Sequence, residues 1–261
     1  MPSFRPNLLA AAVLSVGLAA CQPQTAPAPA DSKATAAAPA SDAAVDAPLS
    51  EISQQRLGGW FKLNPVSATQ IGKHDFDSEI DDLSAAGRQA QVDFAKKTLA
   101  ALDGIDTGKL SRENQIDAAI LRNQVQGDIW GVETLQGWAW DPQVYSGLAG
   151  GAIYNLMARE FAPMPQRLKS ATARMQKIPN IYKQMRENLD PARVPKIHAE
   201  TVAKQNAGIL SLIVTFLTPN ADQLQGEVRK QLDEAVANLR KAVAEQQTWL
   251  DKTLVPNAKG D

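Results

Sequence analysis

The sequence contains one cysteine, Cys21, and two histidines, His74 and His198. A lone cysteine cannot close an internal disulfide, and two histidines without further thiolates fall short of a structural zinc set. There is no basic surplus either, with 27 Lys and Arg against 28 Asp and Glu, so nothing stands ready to neutralise a phosphate backbone and nucleic acid is not expected as a partner. The apolar run from Leu8 to Ala20 is too short and too rich in small residues for a membrane span of about 20 residues. The chain has no His-Glu-x-x-His pair, no Walker loop and no Gly-x-Ser-x-Gly elbow. Strand-like alternation and hairpin signals are missing as well.

What is present begins with a secretory layout over residues 1–20: Arg5, then the apolar run, then Cys21. The tetrapeptide Leu18-Ala19-Ala20-Cys21 resembles the bacterial lipobox. That resemblance implies cleavage before Cys21, lipidation of its thiol, and membrane attachment as the first expected partnership. Gln22 rather than aspartate after the cysteine points to the outer membrane, facing the periplasm. Acylation of this kind exceeds the two-signal requirement for stable anchoring, and it would leave the mature domain without a thiol. Residues 21–49 are alanine, proline and small polar residues, with no large apolar side chain before Val45. Such a segment buries too little to offset its ordering entropy, so a disordered tether is predicted.

Residues 50–261 form one domain-sized body with helical periodicity. Leu224, Val228, Leu232, Ala235, Leu239, Val243, Leu250 and Leu254 recur at spacings of three, four and seven. They predict a long C-terminal helix of about 50 Å, preceded by Pro219 and stopped by Pro256. Ile209, Leu212, Ile213, Phe216 and Leu217 make a second stripe, in a helix that starts near Pro195. Met164, Leu168, Ala171, Met175 and Ile178 make a third, which Pro179 is expected to break or restart. Ser84 and Ser111 are placed to cap helices over residues 85–102 and 112–135, and residues 50–63 should hold the first helix. The fold class is all-α: an irregular array of about seven or eight helices, neither a symmetric bundle nor a solenoid.

The chemistry on offer is sparse. The stretch IGKHDFDSEIDDLS sets His74 beside Asp75, Asp77, Glu79, Asp81 and Asp82. Counted from Asp75, the sixth residue is Ile80 and the twelfth Ala86, so the glycine and glutamate of a calcium-binding EF-hand loop are absent. Two readings stay open: a solvated acidic loop whose Asp81, Asp82 or Ser84 caps the next helix, or a segment whose His74 and Asp77 line a cleft. His198 reads as a surface or packing residue. In a zinc deaminase, His-x-Glu is followed by Cys-x-x-Cys, and no cysteines follow here. Glu113 and Asp117 lie one helical turn apart and could share a site. Trp138 and Tyr145, with Trp130 and Trp140, belong to an aromatic group that is core or cleft wall. The glycines of GLAGG, from Gly147, suit a tight approach where a helix starts.

Several segments match, in order, a family these residues resemble: PVSATQIGKHDFDSEIDDLS, SRENQIDAAIL, GGAIYNLMAREFAPMPQRLKSATARMQKIP, ENLDPARVPKIHAETVAKQNAGIL and QTWLDKTLVPNAKGD. Together they look like the N-terminal part of the bacterial domain of unknown function 885 family. The resemblance implies kinship with helical zincin-type metallopeptidases, whose His-Glu-x-x-Pro-Gly-His motif lies in a C-terminal half beyond the Lys259-Gly260-Asp261 seen here. No position of this sequence can take the zinc-binding histidines or the glutamate base. The expectation is therefore a non-catalytic helical half, with no catalytic residue, metal or cofactor of its own, zinc belonging to the other half. Such a half would supply cleft wall and substrate-positioning groups to a C-terminal catalytic half. The alternative is a self-sufficient, non-enzymatic lipoprotein that presents a helical groove to a peptide or envelope partner.

Overall fold

A computed structural model describes residues 40–261; Cys21, the signal segment and most of the expected tether lie outside the described residues. The helices are α1 (Ala40–Leu63), α2 (Pro65–Gln70), α3 (Ala85–Asp103), α4 (Arg112–Trp130), α5 (Gly137–Trp140), α6 (Gln143–Met157), α7 (Met164–Asn188), α8 (Lys196–Gln205), α9 (Gly208–Leu212), α10 (Gly226–Trp249) and α11 (Val255–Asn257). Eight of them are six residues or longer, and no strand occurs among the described residues. An all-α array is thus what the chain builds. No described helix is long and apolar enough to cross a membrane.

The main core forms where α6, α7 and α10 pack. Ile153, Leu156, Leu168, Met175, Ile178, Ile213 and Leu239 are almost wholly buried there. The stripe read along the C-terminal helix is the face that points inward, with Leu232, Ala235, Leu239 and Val243 buried and Val228 packed at the margin. Its outer face carries the pairs Arg229–Asp233, Lys230–Glu234 and Lys241–Glu245 at one-turn spacing. A second cluster, around Tyr145, Ile181, Met185 and Leu250, continues the core toward the chain end. There, Lys259 and Gly260 donate backbone hydrogen bonds to the carbonyls of Pro191 and Val194. Gly260 is required at that point because a Cβ would collide with the Arg193 carbonyl. A third and smaller cluster joins α1, α3 and α4 through Leu49, Leu102, Leu110 and Ala118.

Several boundaries differ from the sequence reading, each for a physical reason. The first helix starts at Ala40, ten residues before Ser50, because Leu49 is buried against Leu102 and Leu110 and Asp46 accepts the Ser111 amide at 2.9 Å. Pro179 does not break α7. A proline inside a helix costs about 3 kcal/mol, and burial of Met175, Ile178, Ile181, Tyr182 and Met185 along one continuous face outweighs it. The long C-terminal helix is shorter than expected: α10 runs about 36 Å, and a wide π turn over Leu250–Leu254 precedes α11. α4 likewise ends at Trp130 in a π turn, Gly131–Leu135, closed by Gln136 at φ 53°. The glycines of GLAGG lie in the middle of α6, not at a helix start. The caps at Ser84 and Ser111 are present, the hydroxyls accepting from Gly87 N at 3.1 Å and Asn114 N at 3.3 Å.

Candidate functional site

The acidic segment from the end of α2 to the start of α3 is built around Arg174, which α7 delivers fully buried at 0% exposure. Its Nε donates to the Glu79 carbonyl at 2.7 Å, its Nη1 to the Ala152 carbonyl at 3.1 Å, and its Nη2 to the Pro65 carbonyl at 3.1 Å and Thr69 Oγ1 at 2.7 Å. Thr69 in turn donates a hydrogen bond from its hydroxyl to Asp77 Oδ1 at 2.6 Å. Asp77 is 7% exposed, and its Oδ2 lies 3.1 Å from His74 Nδ1. The imidazole stacks on Phe161, with ring centroids 3.6 Å apart and planes 9° from parallel. The chain of contacts thus runs Arg174, Thr69, Asp77, His74, Phe161. A buried guanidinium with most of its donors satisfied, facing Asp77, Asp81 and Glu79, is a rigid organiser of backbone.

The other carboxylates have structural duties. Asp81 accepts the Val66 amide at 3.0 Å and so caps α2, although burial pushes its carboxyl above the ordinary range. Asp82 accepts from Ser84 N at 2.9 Å and Gln184 Nε2 at 2.7 Å. Glu79 pairs with Lys177 at 2.5 Å, which holds its carboxyl below the usual value. Desolvation lowers the Arg174 guanidinium to about 10, and the neighbouring carboxylates oppose that fall. It therefore stays charged at neutral pH. Arg167 and Arg159 complete the pattern by donating to helix-end carbonyls: Arg167 to Met157 and Arg159, and Arg159 to Gln70.

Trp138 and Tyr145 meet in a second cluster. Tyr145 OH donates to the Trp138 carbonyl at 2.6 Å and accepts from Asn188 Nδ2 at 3.0 Å; burial raises its hydroxyl pKa. The Arg88 guanidinium lies 3.8 Å from the Trp138 ring centroid. The indoles of Trp138 and Trp140 donate to the carbonyls of Val132 and Leu135, satisfying the wide turn that ends α4. Asn188 also donates to the Leu83 carbonyl, so this cluster adjoins the far end of the acidic segment. His198 packs beside Trp140, with Nδ1 3.3 Å from Asp141 Oδ1.

The structure therefore joins His74 to Asp77 and Trp138 to Tyr145. Glu113 and Asp117 stay exposed on α4 and join neither group. A cavity of about 580 Å³ does border the acidic segment, but Asp81 and Asp82 line it with Lys177, Lys183, Gln184 and Glu187 of α7; His74 and Asp77 are not among its lining. Among the described residues no three His, Cys, Asp or Glu side chains group as metal ligands. Sequence reading missed Arg174, Arg167 and Thr69. An arginine amid the apolar positions of α7, at Leu168, Ala171, Met175 and Ile178, was the available signal.

The comparisons agree with this all-helical picture. The family model described as bacterial protein of unknown function (DUF885) matches residues 65–261. No curated protein matches the chain. The solved structure of a candidate lipoprotein of unknown function from Shewanella oneidensis matches with a TM-score of 0.74 and 26% identity, over 79% of this chain and 38% of that one. This chain thus spans well under half the length of that protein. With the family model covering most of its residues, the chain belongs to this family of bacterial proteins of unknown function.

Proposed function

We propose that this chain is a lipid-anchored envelope protein, acylated at Cys21 and held at the outer membrane facing the periplasm. On this reading its helical body is the non-catalytic part of a metallopeptidase-like architecture, giving cleft wall and substrate-positioning surface to a region that carries the zinc. The observation that carries the proposal is the 38% coverage of the solved relative: this fold is the smaller share of a longer protein there. Further support comes from the outer face of α4, where Ile116, Ile120 and Trp130 are exposed within about 80° of arc. Apolar side chains aligned on one face suit packing against another body. Both histidines, meanwhile, are engaged by aspartates and aromatic neighbours. The polar cavity along α7 favours a second reading, a groove that holds a peptide without chemistry.

The test mixes the purified chain with the C-terminal region of a longer family member that contains the His-Glu-x-x-Pro-Gly-His motif. Association that weakens with Ile120→Asp, and zinc-dependent peptide cleavage only in the mixture, are expected. Zinc-dependent cleavage by this chain alone, abolished in the His74→Ala, His198→Ala double variant, would overturn the reading. Anchoring is tested separately: palmitate should label the wild-type chain in a bacterial host and not Cys21→Ser.

A further inference from the structure

A second cavity, of about 380 Å³, lies between α1 and α3, and the charged residues that line it are all cations. One face of α1 brings Ile52, Arg56 and Lys62 to it, and α3 brings Phe94, Lys97 and Ala101. Three of its lining residues are cations and none is a carboxylate. The larger cavity along α7 is different: its Lys177 and Lys183 are neutralised by Glu79 and Glu187. In the groove, only Arg56 has an ionic partner, Asp128, on Nη2. Lys62 and Lys97 have none among the described residues, although the adjacent Lys96 pairs with Glu133 at 2.8 Å.

Arg56 adds an independent observation. It is 8% exposed, its guanidinium sits 5.5 Å from the Phe94 ring centroid, and its Nε is buried without an acceptor. Such an atom is the one buried side-chain donor or acceptor left unmatched among the described residues. A buried donor without a partner is costly, and native structures that keep one generally have a reason. Asp128 offsets the charge of Arg56, whereas the like charges of Lys62 and Lys97 are left for an anion to balance. Ile52, Phe94 and Ala101 give the same groove apolar wall.

We propose that the α1–α3 groove binds a phosphate-bearing ligand with an apolar portion. Lys62 and Lys97 take the phosphate oxygens, Arg56 offers its unmatched Nε as a donor, and Phe94 and Ile52 cover the apolar part. Arginine and lysine are the usual phosphate donors, the former directional and the latter a mobile point charge. The same chemistry is offered by a soluble phosphate ester and by the headgroup of a phospholipid.

The experiment uses the full chain purified in detergent, titrated in one arm with inorganic phosphate and in the other with monomeric short-chain phosphatidylglycerol. Binding is read from amide chemical shifts in α1 and α3. Both lysines are exposed, so Lys62→Ala, Lys97→Ala should fold as wild type. It should weaken binding about tenfold or more, the loss expected when a charge-assisted contact goes. Lys230→Ala, Lys241→Ala on the outer face of α10 should leave it unchanged. Arg56→Gln, checked for a native melt, should weaken it further. Saturable shifts with phosphate alone support a soluble ligand; shifts only with the lipid, lost in the lysine variant, support a headgroup. Absence of binding in both arms, or equal binding by wild type and the lysine variant, overturns the proposal.

Discussion

Where α6, α7 and α10 meet, the chain buries Leu168, Met175, Ile178, Ile213 and Leu239 almost completely and uses Arg174 to fasten an acidic segment onto α7. Where α1, α3 and α4 meet, the buried cluster is Leu49, Leu102, Leu110 and Ala118, while Ile116 and Ile120 on the same helices face solvent. The buried arginines also differ. Arg174 has every nitrogen matched by an acceptor, whereas Arg56 keeps a buried Nε without one. Regions with thin cores open first, and binding surfaces are commonly drawn from them. The thicker core therefore lies in the α6–α7–α10 region, and both surfaces proposed above for binding fall in the α1–α3–α4 region.

The largest expected effect breaks the rigid side. Arg174→Met strands the Thr69 hydroxyl and the carbonyls of Pro65, Glu79 and Ala152, and leaves Asp77 and Asp81 without their buried countercharge. A loss of about 3–5 kcal/mol in urea unfolding is expected, the range for breaking a buried charged network by removing one partner. Next come matched core truncations. Leu168→Ala should fall toward the upper end of the roughly 2–5 kcal/mol range and Leu110→Ala toward its lower end, because the smaller cluster can relax around the gap. Equal losses at the two positions would erase the distinction between the regions.

How much of this was legible beforehand follows from what each signal depends on. The stripes of α7 and α10 were readable because burial of one helical face imposes a period on the sequence. Ser84 and Ser111 were readable because a cap is a local bond. The span of α1 was not, since it depends on Leu49 finding partners more than fifty residues away. His74 and Asp77 were singled out as lining a cleft, and the fold instead pairs them with each other, outside the cavity that borders the segment. Their surroundings come from Thr69, Phe161 and Arg174, brought in by the tertiary fold, which no spacing rule reaches.

Smaller effects sharpen the picture. Ser84→Ala and Ser111→Ala should each cost about 1 kcal/mol, measured by the same unfolding. Asp81 gives a test by pH. Burial raises its carboxyl above 3.8, so the folded chain binds its proton more tightly than the unfolded chain does. Just above pH 3.8 the native state carries more protons, and stability falls as pH rises until Asp81 is ionised in both states. Asp81→Asn keeps an acceptor for the Val66 amide and should remove that fall. Glu79 acts with the opposite sign: its lowered carboxyl adds stability above the unfolded value of 4.5, which is lost as pH drops through the folded one. Its exposure and the solvent screening of the Lys177 pair make this the smallest term.

The most direct measurement is amide hydrogen exchange across residues 65–82, in wild type and in Arg174→Met. A segment fastened by a buried guanidinium should exchange slowly at Val66, Lys73 and Glu79, whose amides donate to Asp81, Ala68 and Phe76, and that protection should collapse in the variant ahead of α10. Fast exchange there in the wild type, or equal protection in both proteins, would contradict the account.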